Sequence, residues 1–192
     1  TVCGQVFSQG VGITKCLRAL RPAWSQENEN CATFNAANTV LSRGVGIASG
    51  WYGCGNTSLP NPSTIKSGIR ADGTVVLHQG AMDIGQGANT VIAQIFATAL
   101  GVSIDKIKLI GADTDVTPDA GKTSASRQTY VSGNAARLSG STLRTRILDK
   151  LNVAQDSVLA IDAGFIHATD TSGKHTLSLA TLSADEEGYV LR

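Results

Sequence analysis

Ile65-Lys66-Ser67-Gly68-Ile69-Arg70-Ala71-Asp72-Gly73-Thr74-Val75-Val76-Leu77 is the stretch whose reading decides the fold. Ile65, Ser67 and Ile69 alternate with Lys66 and Arg70, Asp72-Gly73 supplies the positive-φ pair of a tight hairpin, and Val75 and Leu77 resume the pattern. Outward from the hairpin, residues 89–100 carry Val91, Ile92, Ile95, Ala99 and Leu100 on one helical face, with Gly101 as the stop. Residues 106–110 read as a strand. Residues 128–151 read as a long helix with Val131, Ala135, Leu138 and Thr142 down one face and Arg144, Arg146 and Lys150 near its negative end. Residues 157–161 and 164–168 form a strand pair, and Gly188-Tyr189-Val190 opens a further strand. Hairpin, helix, strand, helix is an α+β order, with mixed sheets and packed helices.

Upstream, residues 11–20 and 26–40 fit two short helices, and residues 44–51 alternate small and apolar groups like a strand. Between them and the hairpin, Gly53-Cys54-Gly55-Asn56-Thr57-Ser58-Leu59-Pro60-Asn61-Pro62-Ser63 concentrates turn formers. That break either separates a lead-in lobe, residues 1–55, from a main domain, residues 56–192, or forms one long functional loop.

With 42% hydrophobic residues among 192, the chain has apolar material for one core or for two small lobes. Its 16 Lys and Arg nearly cancel 15 Asp and Glu, which argues against nucleic acid or an anionic membrane surface as partner. Charge is uneven: residues 1–63 hold only Glu27, Glu29, Lys15, Arg18, Arg21 and Arg43. A surface so poor in charge implies a neighbour pressed against it. Cys3, Cys16, Cys31 and Cys54 lack a C-x-x-C pair and read as isolated buried thiols. With no signal-peptide pattern or long apolar span, a cytoplasmic setting is expected. Asn56-Thr57-Ser58 matches a glycosylation sequon, a pattern too short to carry weight.

Two turns bring small or hydroxyl-bearing residues to a helix start. In Asp83-Ile84-Gly85-Gln86-Gly87-Ala88-Asn89 the glycines allow close backbone approach, the helix start offers unpaired N–H groups, and Gln86 both donates and accepts. A plain strand-to-helix turn explains the same glycines. In Gly121-Lys122-Thr123-Ser124-Ala125-Ser126-Arg127-Gln128-Thr129, hydroxyls cluster before the long helix and suit a phosphate or the polar edge of a heterocycle. An ordinary Ser/Thr cap with a solvated Arg127 suits them equally. Gly121-Lys122-Thr123 is not a phosphate-binding P-loop, because Val116 stands where its first glycine belongs. Asp113, Asp115, Thr117 and Asp119 are not a calcium loop, because Pro118 replaces the turn glycine and Ser124 the closing glutamate. His78, His167 and His175 sit singly on strand-like stretches, and no Ser-His-Asp or Cys-His spacing is present.

Both turns occur in order with a particular filling. Gly85-Gln86-Gly87, Thr90, Ala93-Gln94, Leu100-Gly101-Val102, Asp105-Lys106-Ile107, Asp113-Thr114, Thr117-Pro118, Ala125-Ser126-Arg127 and Gly133-Asn134-Ala135 resemble the molybdopterin-binding domain of xanthine dehydrogenases and aldehyde oxidoreductases. Gly4-Gln5-Val6, Val11-Gly12 and residues 43–48 are similar to the segment leading into it, so the likeness covers most of residues 4–150. The resemblance implies a molybdenum hydroxylase that oxidises an aldehyde or N-heterocycle with water as oxygen source, passing electrons to iron–sulfur clusters and often FAD on other domains or subunits. It implies that Gly85, Gln86 and Gly87 contact the molybdenum–molybdopterin and that Ser124, Ala125, Ser126, Arg127, Gln128 and Thr129 wrap it, Ala125 against the metal centre.

Two parts of the family pattern are missing. The family's base is a glutamate in a glycine-rich segment downstream of the second turn, and its earlier glycine- and phenylalanine-rich cofactor loop precedes the matched region. Neither lies within the 192 residues, so no catalytic or metal-ligating residue is assigned, and inactivity of the chain alone is expected. The expected partners are the remainder of the large subunit or a second molybdopterin-binding subunit, with iron–sulfur and flavin components. The alternative is a non-catalytic interaction subunit that completes a partner's molybdenum site.

Overall fold

The computed structural model describes Gly4, Val6, residues 12–50, Tyr52, Gly53, Gly55 and residues 60–192. Cys3, Cys54, Trp51 and the Asn56-Thr57-Ser58 sequon lie outside the described residues, as does Val11 at the start of the first expected helix. Two compact units divide the chain, Thr1–Tyr52 and Gly53–Arg192.

In the first unit a single helix, α1 (Ile13–Ala37), replaces the two short helices read from the sequence. Pro22 sits inside it. A proline there removes one i→i−4 hydrogen bond, and on this exposed helix water can serve the released carbonyl. None of its residues is fully buried. Asn35 Nδ2 donates to the Arg43 carbonyl at 2.9 Å and Asn35 Oδ1 accepts from the Arg43 N–H at 2.7 Å, which turns the chain after the helix. Residues 44–50 form no strand. Cys16 is exposed and Cys31 half-buried, and both are free thiols, so the expected burial fails for Cys16.

The second unit bears out the α+β reading. The hairpin is β1 (Ile65–Arg70) and β2 (Val75–Gln79), paired antiparallel with Ile69 opposite Val75. Of the expected positive-φ pair only Gly73 is left-handed, at φ +89°; Asp72 is not, and instead its Oδ1 accepts from the Thr74 N–H at 2.8 Å. From β2 the chain runs through α2 (Ala88–Leu100) to β3 (Ile107–Gly111), which pairs parallel with β2; a helical crossover is what parallel neighbours require. The last strand, β7 (Tyr189–Leu191), closes the other edge in the order β3-β2-β1-β7. β4 (Val158–Asp162), β5 (Phe165–Asp170) and β6 (Gly173–Ser178) form a separate antiparallel sheet.

α3 (Gln128–Leu151) has the bounds read from the sequence but a different inner face. Gln128, Ser132, Gly133, Ala136, Gly140, Leu143, Ile147 and Leu148 are buried, whereas Leu138 is 57% exposed. The reason is the close approach of α2: a Cβ on Gly140 would stand 2.7 Å from the Phe96 carbonyl oxygen and 3.2 Å from the Leu100 nitrogen. Small residues therefore face α2, and the bulkier Leu138 turns outward. Farther along, Ile69, Leu77, Ile92, Phe96, Leu100, Leu143 and Ile147 form one apolar core between the sheet and both helices. Arg144 caps the end of α2 by donating to the Leu100 carbonyl at 3.2 Å, a cation at a helix C-terminus.

Candidate cofactor site

Both turns singled out in the sequence lie in the second unit, and they are bonded to each other. The Thr123 hydroxyl accepts from the Met82 N–H at 3.1 Å and donates to the Met82 carbonyl at 2.9 Å. It also accepts from Gln128 Nε2 at 3.4 Å, which uses the one donor and two acceptor positions of a hydroxyl. Gln86 Nε2 donates to the same Met82 carbonyl at 3.2 Å, while Gln86 Oε1 accepts from the Ile84 N–H at 2.7 Å. The Gln86 amide therefore closes its own loop. At the far end Gln128 Oε1 accepts from Ser132 Oγ, which meets Ser63 Oγ at 2.8 Å. One network thus runs from Gln86 through Met82, Thr123 and Gln128 to Ser63.

Gly85 and Gly87 hold φ of +103° and +83°, and a Cβ at either position would meet nothing within 4 Å. Space lies open in front of the first turn. The start of α2 keeps its sequence reading in part: the Asn89 N–H is taken by Asp83, whereas those of Ala88 and Thr90 meet no acceptor among the described residues. Asp83 accepts from Gly85 at 2.9 Å, Gly87 at 3.2 Å and Asn89 at 3.1 Å. Those bonds, the one from Asn89 first, hold its carboxyl below the usual 3.8 although desolvation opposes them. An aspartate two residues before a glycine is an Asx-turn signal that was readable in the sequence. Behind it, Gln79 Nε2 donates to Asn89 Oδ1 and ties the end of β2 to the first turn of α2.

In the second turn, Ala125 and Ser126 adopt φ of +52° and +54°. Left-handed backbone costs a non-glycine residue about 1–2 kcal/mol, so two in succession need outside support. Ser124, Ser126 and Thr129 are exposed and Ala125 is half-buried. Arg127 is not solvated: it is 1% exposed, and its guanidinium donates to the carbonyls of Ala120, Lys122, Asn61 and Pro62 at 2.6, 2.9, 3.3 and 2.8 Å. Gln128 is buried as well, and its Nε2 donates to the Lys122 carbonyl at 3.1 Å. The side chains of Arg127 and Gln128 therefore face the protein, and those of Ser124, Ser126 and Thr129 face outward.

The histidines stand apart from both turns. His78 Nε2 meets Tyr189 Oη at 2.6 Å, His167 Nδ1 meets Thr176 Oγ1 at 2.9 Å, and His175 Nε2 meets Ser172 Oγ at 2.9 Å. Burial, then the nearby Lys66 charge, lowers the His78 pKa below the usual 6.5. Among the described residues no group of three His, Cys, Asp or Glu could hold a metal ion. No helix is long and apolar enough to cross a membrane, among the same residues. A groove of about 470 Å³ between β1 and α3, lined by Ser67, Leu138, Ser139 and Arg192, includes neither turn.

The model of the molybdopterin cofactor-binding domain matches residues 18–189. This chain belongs to the molybdopterin cofactor-binding domain family. Within that family it is 36% identical over 143 residues to a xanthine dehydrogenase molybdenum-binding subunit of Escherichia coli O157:H7, covering 71% of this chain and 18% of the relative. It is 35% identical over 122 residues to an aldehyde oxidoreductase of Megalodesulfovibrio gigas, covering 62% of this chain and 13% of the relative. Among solved structures, reconstituted CO dehydrogenase from Oligotropha carboxidovorans aligns with a TM-score of 0.48 and 23% identity over 67% of this chain and 17% of that one. The chain spans less than a fifth of the length of the relatives it matches.

The site's own chemistry fits such a cofactor. The open space before Gly85 and Gly87 leaves room for a bulky group, and the exposed Ser124 and Ser126 hydroxyls are donors. Arg127 places a positive charge under the second turn that no carboxylate pairs with among the described residues, a sign suited to an anionic ligand.

Proposed function

We propose that this chain supplies the two cofactor-contacting turns of a molybdenum hydroxylase that oxidises an aldehyde or N-heterocycle with water as the oxygen source. The observation that carries this reading is the Met82–Thr123 pair, which holds the Gly85-Gln86-Gly87 turn beside the Ser124-Ala125-Ser126 turn. When bound, molybdenum–molybdopterin supplies the redox centre. The residues here bind and orient it: Gly85 and Gly87 leave its approach clear, Ser124, Ser126 and Thr129 offer hydroxyls, and Ala125 leaves room at the metal. Gln86 contacts it from the rim of the first turn, and Arg127 and Gln128 contribute from beneath the second.

In this reading residues 56–192 are part of the cofactor domain and residues 1–55 lead into it. The general base, the iron–sulfur clusters and FAD belong to the rest of a longer cytoplasmic protein or to partner subunits. The coverage of less than a fifth of each relative supports that division. A cofactor gripped from one side loses most of the contacts that exclude solvent and fix its orientation. Elemental and pterin analysis tests the reading. The full-length protein is expected to retain about one molybdenum and one pterin per chain, and the isolated 192 residues far less. A full-length protein that never carries pterin overturns it.

A further inference from the structure

We infer that Arg127 is a positioning residue, which acts through four backbone carbonyls to hold Ala125 and Ser126 in the conformation that presents them. The carbonyls belong to two separate segments, Asn61 and Pro62 on one side and Ala120 and Lys122 on the other. No carboxylate pairs with this cation among the described residues, so its burial is compensated by carbonyl dipoles alone. That is a costly way to fill a core, because a charge taken from water needs strong partners. The planar fork is what makes it specific: it reaches carbonyls in fixed directions, which a lysine or an apolar residue cannot do.

Each carbonyl drawn inward also sets the next N–H, because the peptide group is planar and trans. With the Ala120 carbonyl turned toward Arg127, the Gly121 N–H meets Asp119 Oδ1 at 2.7 Å. With the Lys122 carbonyl turned the same way, Thr123 is placed for its bonds to Met82. Gly121 is fitted to the clamp, since a Cβ there would lie 3.1 Å from both terminal guanidinium nitrogens. From the other segment, Asn61 Nδ2 reaches the Gly55 carbonyl at 2.6 Å, and the Gly55 N–H donates to the Ala125 carbonyl at 2.6 Å. Arg127 thereby fixes Ala125 from both sides. Its importance for ligand binding rests on the proposed function, but its action on the turn does not.

Amide hydrogen exchange on the 192-residue chain tests this without any cofactor, so its outcome is separate from whether the turns hold a pterin. Arg127→Lys and Arg127→Ala are expected to speed exchange at Gly55, Met82 and Gly121, whose N–H groups bond Ala125, Thr123 and Asp119 around the turn, on the order of ten- to a hundredfold, the range for losing charge-assisted hydrogen bonds. Exchange at Ile92, Phe96 and Leu143 in the core is expected to stay unchanged. Guanidinium ion at low concentration is expected to restore protection in Arg127→Ala, and methylammonium is not. If Arg127→Ala does not fold, Arg127→Lys decides by the same comparison. Unchanged exchange in the turn, a uniform loss across turn and core, or equal rescue by methylammonium overturns the inference.

Discussion

The Thr123 hydroxyl and the backbone N–H and C=O of Met82 exchange two hydrogen bonds, at 3.1 and 2.9 Å, across 41 residues of chain. Among the described residues, that exchange ties the chain at the first turn directly to the second. Thr123→Val keeps the shape and removes both bonds, so it is expected to destabilise the chain by about 0.5–1.5 kcal/mol, while Thr123→Ser stays close to the parent. Urea unfolding checks this. Equal stability of the valine and serine variants would mean that the hydroxyl does not join the turns.

Gly140→Ala is expected to destabilise the chain although alanine favours helix by about 1 kcal/mol over glycine. The added Cβ would stand 2.7 Å from the Phe96 backbone oxygen, and neither helix can yield without disturbing the core. Overpacking of this kind typically costs about 1–3 kcal/mol. Thermal unfolding of the variant measures the balance, and a rise in Tm would contradict the packing described here.

The Asp83 carboxylate predicts a pH dependence whose sign is fixed by its lowered pKa. Its contribution is complete above the ordinary value of 3.8 and is lost as pH falls through the lower, folded value. Asp83→Asn is expected to be less stable than the parent at neutral pH, with the gap closing in acid. A gap that stays constant below the ordinary carboxylate range would show that the three N–H bonds do not depend on the charge.

How much of this was legible follows from which forces act locally. Asp72-Gly73 marked the hairpin, Gly101 ended α2 and the bounds of α3 were readable, because turn chemistry and helix stops are written in a few adjacent residues. β6 was missed, since Lys174 and His175 give it no apolar alternation, and it exists by pairing with β5. The inner face of α3 was misread because large apolar residues are the usual marker, whereas here Gly133, Ala136 and Gly140 admit α2. In the candidate site, the residues of both turns stood out through their glycines and hydroxyls. Their bonding through Thr123 joins positions far apart in the chain, and the burial of Arg127 depends on Asn61 and Pro62, which no local pattern links to it.

Whether Ala125 lies against the cofactor is tested most directly by the turnover of the full-length protein carrying Ala125→Leu. Leucine is not branched at Cβ, so at φ +52° it adds little backbone cost beyond that already borne by alanine. In a mere exposed turn such a change stays within about 0.5 kcal/mol. Against a bound cofactor the isobutyl group must displace it, and a shift of about 1 Å already costs on the order of 10²-fold in rate. The predicted result is a loss of at least that order with the fold and any iron–sulfur spectrum intact. Turnover and molybdenum content equal to the parent's would remove this turn from the active site.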